Sequence, residues 1–256
     1  MIPYYEQDGI TIYHGDCREI LPGLAGISCV VTSPPYNQLG AIGENPSGLW
    51  ADRSGGLGFI EAWRHGGYSD DMGEPEYQQW QNALFGAVRN ATTSTASLFY
   101  NHQLRWRDGQ CLHPVDWFTP TGWNLRQEIV WDRAGGMMFN ARMFCRFDER
   151  ILWFVRGDTW TWNQESVGLG TIWRIPRAQN KEHPVAFPQE IPARCIAATT
   201  TIGDLVLDPF MGGGTTLIAA KNLQRRAIGI EIEERYCEIA ARRLDQGVLD
   251  LGERPA

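Results

Sequence analysis

The sequence predicts an α/β protein built on a mostly parallel, doubly wound sheet, and three observations carry that prediction. Residues 10–32 read as strand, short helix, strand, a unit whose two strands run parallel. Residues 188–244 alternate helix and strand without interruption. The strand candidates are short apolar runs such as Ile27–Thr32, as expected where both faces are covered.

Each element follows from the chain in order. "ITIY" (10–13) is a strand, "CREILPGL" a short helix, and "ISCVVT" (27–32) a buried strand that runs into "SPPYN". The stretch 38–70 is rich in glycine and turn residues, has little periodicity, and reads as a mobile surface loop. Residues 74–91 carry helical apolar spacing through Tyr77, Trp80, Leu84 and Val88, and "ASLFYN" (96–101) follows as a strand. Residues 125–132 and 149–157 read as further strands, whereas 158–182 breaks into polar, Trp-rich and Pro-rich sequence. The regular end comprises a helix at 188–200, a strand at 204–210, a helix at 214–223, a strand at 226–232 and a helix at 233–244.

Composition bounds the function. A chain of 256 residues with 43% hydrophobic and 21% charged side chains can form one domain with a substantial core. No window approaches the roughly 18 consecutive apolar residues of a membrane span, and the first residues lack a secretory pattern, so a cytoplasmic protein with no membrane partner is expected. Six scattered cysteines without a Cys-x-x-Cys pair argue against zinc and against a disulfide framework; His102 and His113 near Cys111 lack a second paired ligand, so no metal is expected. The net charge of −7 is uneven, at −7 for residues 1–100, +3 for 101–181 and −3 for 182–256. The basic middle also holds eight of the eleven tryptophans, which suits either phosphate contact with base stacking or an ordinary aromatic core.

Two motifs carry chemistry. In "DLVLDPFMGGGTT" a strand ends at Asp208, turns through Gly212, Gly213 and Gly214, and opens a helix at Thr215 and Thr216. The next strand ends in Glu231, a carboxylate placed to accept from ribose hydroxyls, which implies a nucleoside cofactor. A dinucleotide fingerprint would need a glycine where Leu217 stands, so the loop suits S-adenosylmethionine better, with a dinucleotide and a purely structural turn as the alternatives. In "VVTSPPYN" a strand ends in a hydroxyl, a rigid Pro-Pro turn and an aromatic ring, which together either offer an acceptor, an outward carbonyl and a stacking face to a planar amine or simply form a turn that closes the strand.

The pair resembles the motifs of the DNA amino-methyltransferases. "TSPPYN" is similar to their catalytic (D/N/S)PP(Y/F) motif and "DPFMGGGTT" to their cofactor motif, in the permuted order of the β group. "YHGDCREIL" and "HPVAFP" resemble further segments, so the likeness spans about 10–244. It implies a seven-stranded, Rossmann-like methyltransferase sheet with a small recognition insert, the 38–70 loop and the 101–181 region serving partly in recognition. It implies Ser33, Pro34, Pro35 and Tyr36 as the catalytic set. Asp16, Cys17, Phe187, Asp208, Phe210, Gly212, Gly214, Thr215, Thr216, Glu231 and Ile232 would hold S-adenosylmethionine, Asp16 by accepting from the adenine amino group.

The implied reaction is direct methyl transfer to an exocyclic amine of a flipped base in double-stranded DNA, with Ser33 Oγ and the Pro34 carbonyl as acceptors and Tyr36 stacked on the base. Asn37, Arg105, Arg107, Arg142 and Arg146 are the candidate DNA contacts. In the family a serine in the first motif position goes mostly with cytosine N4 and an aspartate mostly with adenine N6, so cytosine N4 is the expected target. Adenine N6, a protein amide, RNA, and an inactive DNA-binding relative are the alternatives. A homodimer and a cognate restriction endonuclease are the further partners that the resemblance raises.

Overall fold

The computed structural model describes residues 2–37, 72–135, 144–177 and 187–246. Its centre is a nine-stranded sheet in the order β1-β2-β11-β10-β3-β4-β8-β7-β9. The strands are β1 (Tyr5–Gln7), β2 (Ile10–His14), β3 (Ile27–Thr32), β4 (Thr92–His102), β7 (Asn124–Asp132), β8 (Asp148–Val155), β9 (Ile172–Arg174), β10 (Leu205–Asp208) and β11 (Arg226–Glu231). A separate hairpin joins β5 (Arg105–Arg107) to β6 (Gln110–Leu112). The helices are α1 (Cys17–Ile20), α2 (Glu74–Val88), α3 (Pro114–Trp117), α4 (Glu190–Thr199), α5 (Thr215–Asn222) and α6 (Glu234–Asp245).

Strands β2, β11, β10, β3 and β4 form a continuous parallel block. Beyond it, β8 runs against β4 and β7 runs against β8, so β7 points the same way as the block and β9 continues parallel to it. The sheet is therefore mostly parallel, as expected, but wider than seven strands. The two additional strands are its edges. β1 folds back on β2 through Asp8-Gly9, and β9 pairs with only three residues of β7. The expected unit at 10–32 is parallel, yet its strands are not neighbours: β11 and β10 lie between them.

Both faces of the sheet are covered, which explains the unbroken apolar strands. Adjacent residues alternate between two cores: Val31, Phe99 and Trp153 face α4, α5 and α6, whereas Val30, Leu98 and Leu152 face α1 and α2. Five of the eight tryptophans in the basic middle, at 117, 123, 131, 153 and 173, are buried in these cores, so the core reading holds for most of them. No helix among the described residues is long and apolar enough to cross a membrane.

This topology decides what meets at the carboxyl edge. β3, β4, β7, β10 and β11 end there, and the reversed β8 begins there, because Glu149 pairs with Trp131 and Arg150 with His102. Residues that are far apart in sequence therefore converge around Ser33.

Candidate active site

The 33–37 loop leaves β3 after Thr32 and is fastened by hydrogen bonds on several sides. Ser33 Oγ lies 2.6 Å from Tyr36 Oη. Tyr36 Oη donates to Glu149 Oε2 at 3.1 Å, and Asn101 Nδ2 donates to both, at 2.6 Å and 2.9 Å. Arg133 closes the cluster with an ion pair of 2.9 Å to Glu149 Oε1. Burial, reinforced by the Glu149 charge, pushes the Tyr36 phenol well above its ordinary range, so it keeps its proton. The side-chain oxygen Oδ1 of Asn101 is buried, with no hydrogen-bond partner among the described residues.

Behind this cluster, Tyr77 Oη donates to the Pro35 carbonyl at 2.7 Å and lies 2.9 Å from His102 Nε2. His102 also packs its ring 4.5 Å from that of Tyr36. Complete burial, with a smaller contribution from Arg105, lowers the His102 pKa to about 3, so the ring is neutral at pH 7. The Pro-Pro turn thus rests on α2 through Tyr77, and the rigidity read from its prolines is completed by tertiary contacts.

The second half of the site is the loop between β10 and α5. Asp208 is 1% exposed. It accepts from Thr32 Oγ1 at 2.8 Å, from Thr216 Oγ1 at 2.6 Å and from the Phe210 amide at 3.1 Å. It was expected to contact the cofactor directly; instead its oxygens are engaged by the protein, and it binds the catalytic strand to the glycine loop. Burial raises its pKa to about 6 despite these donors. Gly214 sits at φ +79°, and a Cβ there would come 2.8 Å from Ala240 Cβ, so glycine serves both the turn and the close approach of α6.

Glu231, at the end of β11, accepts the Gly212 amide on one oxygen and the Glu233 amide on the other, each at 2.9 Å. It is 8% exposed, and burial raises its pKa to about 7. Each oxygen retains a lone pair, so a vicinal diol that donates two hydrogens fits this acceptor. Asp16 caps α1, accepting from the Arg18 amide at 2.8 Å, and the Arg18 side chain holds its carboxyl below the usual range. Asp16 is placed beside Glu231 because Gly15 N donates to Glu231 O at 2.9 Å. Ile232 is 41% exposed at the same strand end, whereas Cys17 and Phe187 belong to the two cores. Thr215 and Thr216 are buried in the first turn of α5. The acidic strand end, the glycine turn and the exposed Ile232 together fit a nucleoside.

The expected DNA contacts divide differently. Arg105 is 3% exposed, paired with Glu74 at 2.6 Å and 2.7 Å and seated over the rings of Tyr77 and Trp117. Asn37 is buried too, with Nδ2 donating to Met72 O at 2.9 Å. Both are corrected from DNA contacts to scaffold residues, because both side chains are screened from solvent, Arg105 against Glu74 and Asn37 against Met72. Arg107 donates to the Asn37 carbonyl, and Arg146 donates to Leu104 O and packs over Trp106. Arg142, the whole 38–70 stretch and the "HPVA" part of the 183–188 segment lie outside the described residues.

Sequence reasoning missed Asn101, Arg133 and Glu149. The available signal was slight: Glu149 sits in the charged head Asp148-Glu149-Arg150 of a strand that is otherwise apolar, and Asn101 is a lone amide near the end of another.

The chain is similar to known methyltransferases in sequence and in fold. The chain is 27% identical over 282 residues to the type II methyltransferase M.ScaI of Streptomyces caespitosus, covering 95% of this chain and 84% of that one. The PvuII DNA methyltransferase, described as cytosine-N4-specific, superposes with a TM-score of 0.73 at 19% identity, covering 98% of this chain and 90% of that one. The complex of M1.HpyAVI with SAM gives 0.63 at 23%, covering 91% and 99%. The family model for DNA methylases of the N6/N4 class matches residues 27–242, a span that runs from the catalytic strand through the glycine loop into α6, and the chain belongs to that family.

Proposed function

We propose that this protein transfers a methyl group from S-adenosylmethionine to the exocyclic amine of a base turned out of double-stranded DNA, with cytosine N4 as the target. The observation that carries the proposal is the Asp208 junction. One buried carboxylate holds Thr32, the residue before Ser33, to Thr216 and the Phe210 amide of the glycine loop. An acceptor for an amine and a cradle for a nucleoside are thereby a single unit on one sheet edge, which is what direct transfer between two bound reactants requires.

Glu231 would take the ribose hydroxyls, Asp16 the adenine amine, and Ile232 with the Gly212–Gly214 turn would border the nucleoside. When bound, S-adenosylmethionine supplies an electrophilic methyl on a sulfonium sulfur. Ser33 Oγ accepts from the target amine, drawing density onto a nitrogen whose lone pair is otherwise delocalised into the ring. Tyr36, tied down at its hydroxyl, holds its ring as a fixed wall for the extruded base. The serine supports cytosine through the family's association of Ser-Pro-Pro-Tyr with cytosine N4, and as a neutral acceptor it gives less charge assistance than an aspartate.

The test is incubation of the purified protein with S-adenosylmethionine and unmethylated DNA, followed by digestion and mass spectrometry of the nucleosides. N4-methylcytosine is the expected product. N6-methyladenine would retain the reaction class and overturn the base, and the absence of any methylated nucleoside with the cofactor still bound would overturn DNA as the substrate.

A further inference from the structure

Ser33 has a hydrogen of its own, and an amine approaching it needs a lone pair. A hydroxyl that points its hydrogen at the incoming N–H opposes the reaction, so something must settle which way Ser33 faces. The contacts around Tyr36 settle it. Glu149, ion-paired to Arg133 at 2.9 Å, is a carboxylate and can only accept. Tyr36 Oη lies 3.1 Å from Glu149 Oε2, and two oxygens at that separation in a largely buried cluster need a hydrogen between them. Tyr36 has one hydrogen to give and keeps it, since burial disfavours the phenolate. With that hydrogen committed to Glu149, the 2.6 Å contact between Ser33 Oγ and Tyr36 Oη is bridged by the hydrogen of Ser33. Asn101 Nδ2, a donor only, reinforces the order, because it lies 2.6 Å from Tyr36 Oη and 2.9 Å from Glu149 Oε2.

We infer that Glu149 is a positioning residue for methyl transfer: through Tyr36 it turns the Ser33 hydrogen away from the substrate, so that Ser33 meets the target amine as an acceptor. The inference rests on the amine-methylating function proposed above. It assigns the Tyr36 hydroxyl a purpose separate from its ring. It also places the negative charge three hydrogen bonds from the target amine, where a motif opened by aspartate would put it directly on the amine.

Two measurements test it. Neutron diffraction from deuterium-exchanged crystals locates the hydroxyl hydrogens without reference to activity. The expected map places deuterium between Ser33 and Tyr36 on the serine oxygen and between Tyr36 and Glu149 on the phenol; a Tyr36 deuterium directed at Ser33 would overturn the inference. The second is a double-mutant cycle in single-turnover methylation. Tyr36→Phe, which keeps the ring, should lower the rate about tenfold, the scale of one hydrogen bond in a buried network, with S-adenosylmethionine and duplex affinities unchanged. In a Ser33→Ala background the same change should have less than about a twofold effect, because no hydroxyl is left to orient. Glu149→Gln should follow the same pattern; if it loosens the fold through unpaired Arg133, Tyr36→Phe still decides. Wild-type rates for Tyr36→Phe, or equal losses in both backgrounds, would show a merely structural contact. Wild-type protein that methylates no amine would instead sink the proposed function, while the neutron map would still report the hydrogen order.

Discussion

The two loops of the site are held by different means. The glycine loop is stabilised largely from within its own strand-loop-helix unit: Asp208 accepts from Phe210 and Thr216, Gly214 N donates to Met211 O, and Gly212 reaches only as far as Glu231 on the next strand. The 33–37 loop, proposed as catalytic, depends on residues remote in sequence. Tyr36 is 65 residues from Asn101 and 113 from Glu149, and Pro35 is 42 from Tyr77. A locally encoded loop retains its shape as long as its own segment is intact. A loop assembled from distant side chains responds to changes anywhere along the edge that gathers them.

Asp208 belongs to both systems, so removing it should have the largest effect. Asp208→Ala leaves two hydroxyls and one amide in a buried site without their acceptor, at about 1–3 kcal/mol for each group that finds no substitute. Urea denaturation should show a loss of several kcal/mol, with cofactor binding and turnover falling together; Asp208→Asn, which keeps one acceptor oxygen, should recover part of it. A loss below about 1 kcal/mol would mean that the two loops are not coupled through this carboxylate.

The next pair separates the loops. Tyr36→Ala should reduce turnover about a hundredfold or more while calorimetry finds S-adenosylmethionine affinity nearly unchanged, since both the ring wall and the Ser33 partner are lost. Glu231→Ala should weaken S-adenosylmethionine about tenfold or more and largely spare turnover at saturating cofactor. If both variants lose affinity and turnover to the same degree, the division into a catalytic and a cofactor loop is wrong.

The same division explains what could be read in advance. The β10-α5-β11 unit, the glycine turn and Glu231 lie within one stretch, residues 205–231, and local sequence specifies local geometry. Ser33 and Tyr36 could be read as chemistry only together with the glycine loop, since a hydroxyl, two prolines and a ring by themselves equally suit a turn that closes a strand. Glu149 and Asn101 could not, because their meaning depends on β8 running against β4, and pairing direction is not written in either strand. Arg105 misled for a related reason: an arginine beside a tryptophan looks the same in sequence whether it faces a phosphate or Glu74. The two unread strand pairings beginning at Tyr5 and Arg105 did carry a local signal. Asp8-Gly9 and Asp108-Gly109 are two-residue turns, with φ +53° at Asp8 and +49° at Asp108, and the Asp-Gly pairs stood in the sequence between short runs.

The smallest effect expected is one of pH, and it isolates the cofactor loop in the absence of ligand. The Glu231 pKa is raised on folding from 4.5 to about 7, chiefly by burial. A group raised in this way contributes stability that is fully present below its unfolded value and is lost as pH rises through the folded one. Between pH 4.5 and about 7 the wild-type protein should therefore lose stability relative to Glu231→Gln, which has no charge to bury. Asp208, raised to about 6, acts in the same direction, whereas His102, lowered to about 3, contributes stability above its unfolded value of 6.5 that is lost as pH falls. Both are common to the two proteins and cancel in the difference. Thermal melts of the pair should diverge by a few degrees across this window, on the order of 1 kcal/mol. S-adenosylmethionine should narrow the gap in the wild type, because ribose hydroxyls would solvate the carboxylate that folding has stripped of water. Parallel melting curves from pH 4.5 to 8 would mean that Glu231 is better solvated than its burial implies, and the case for a ribose filling that place would weaken with it.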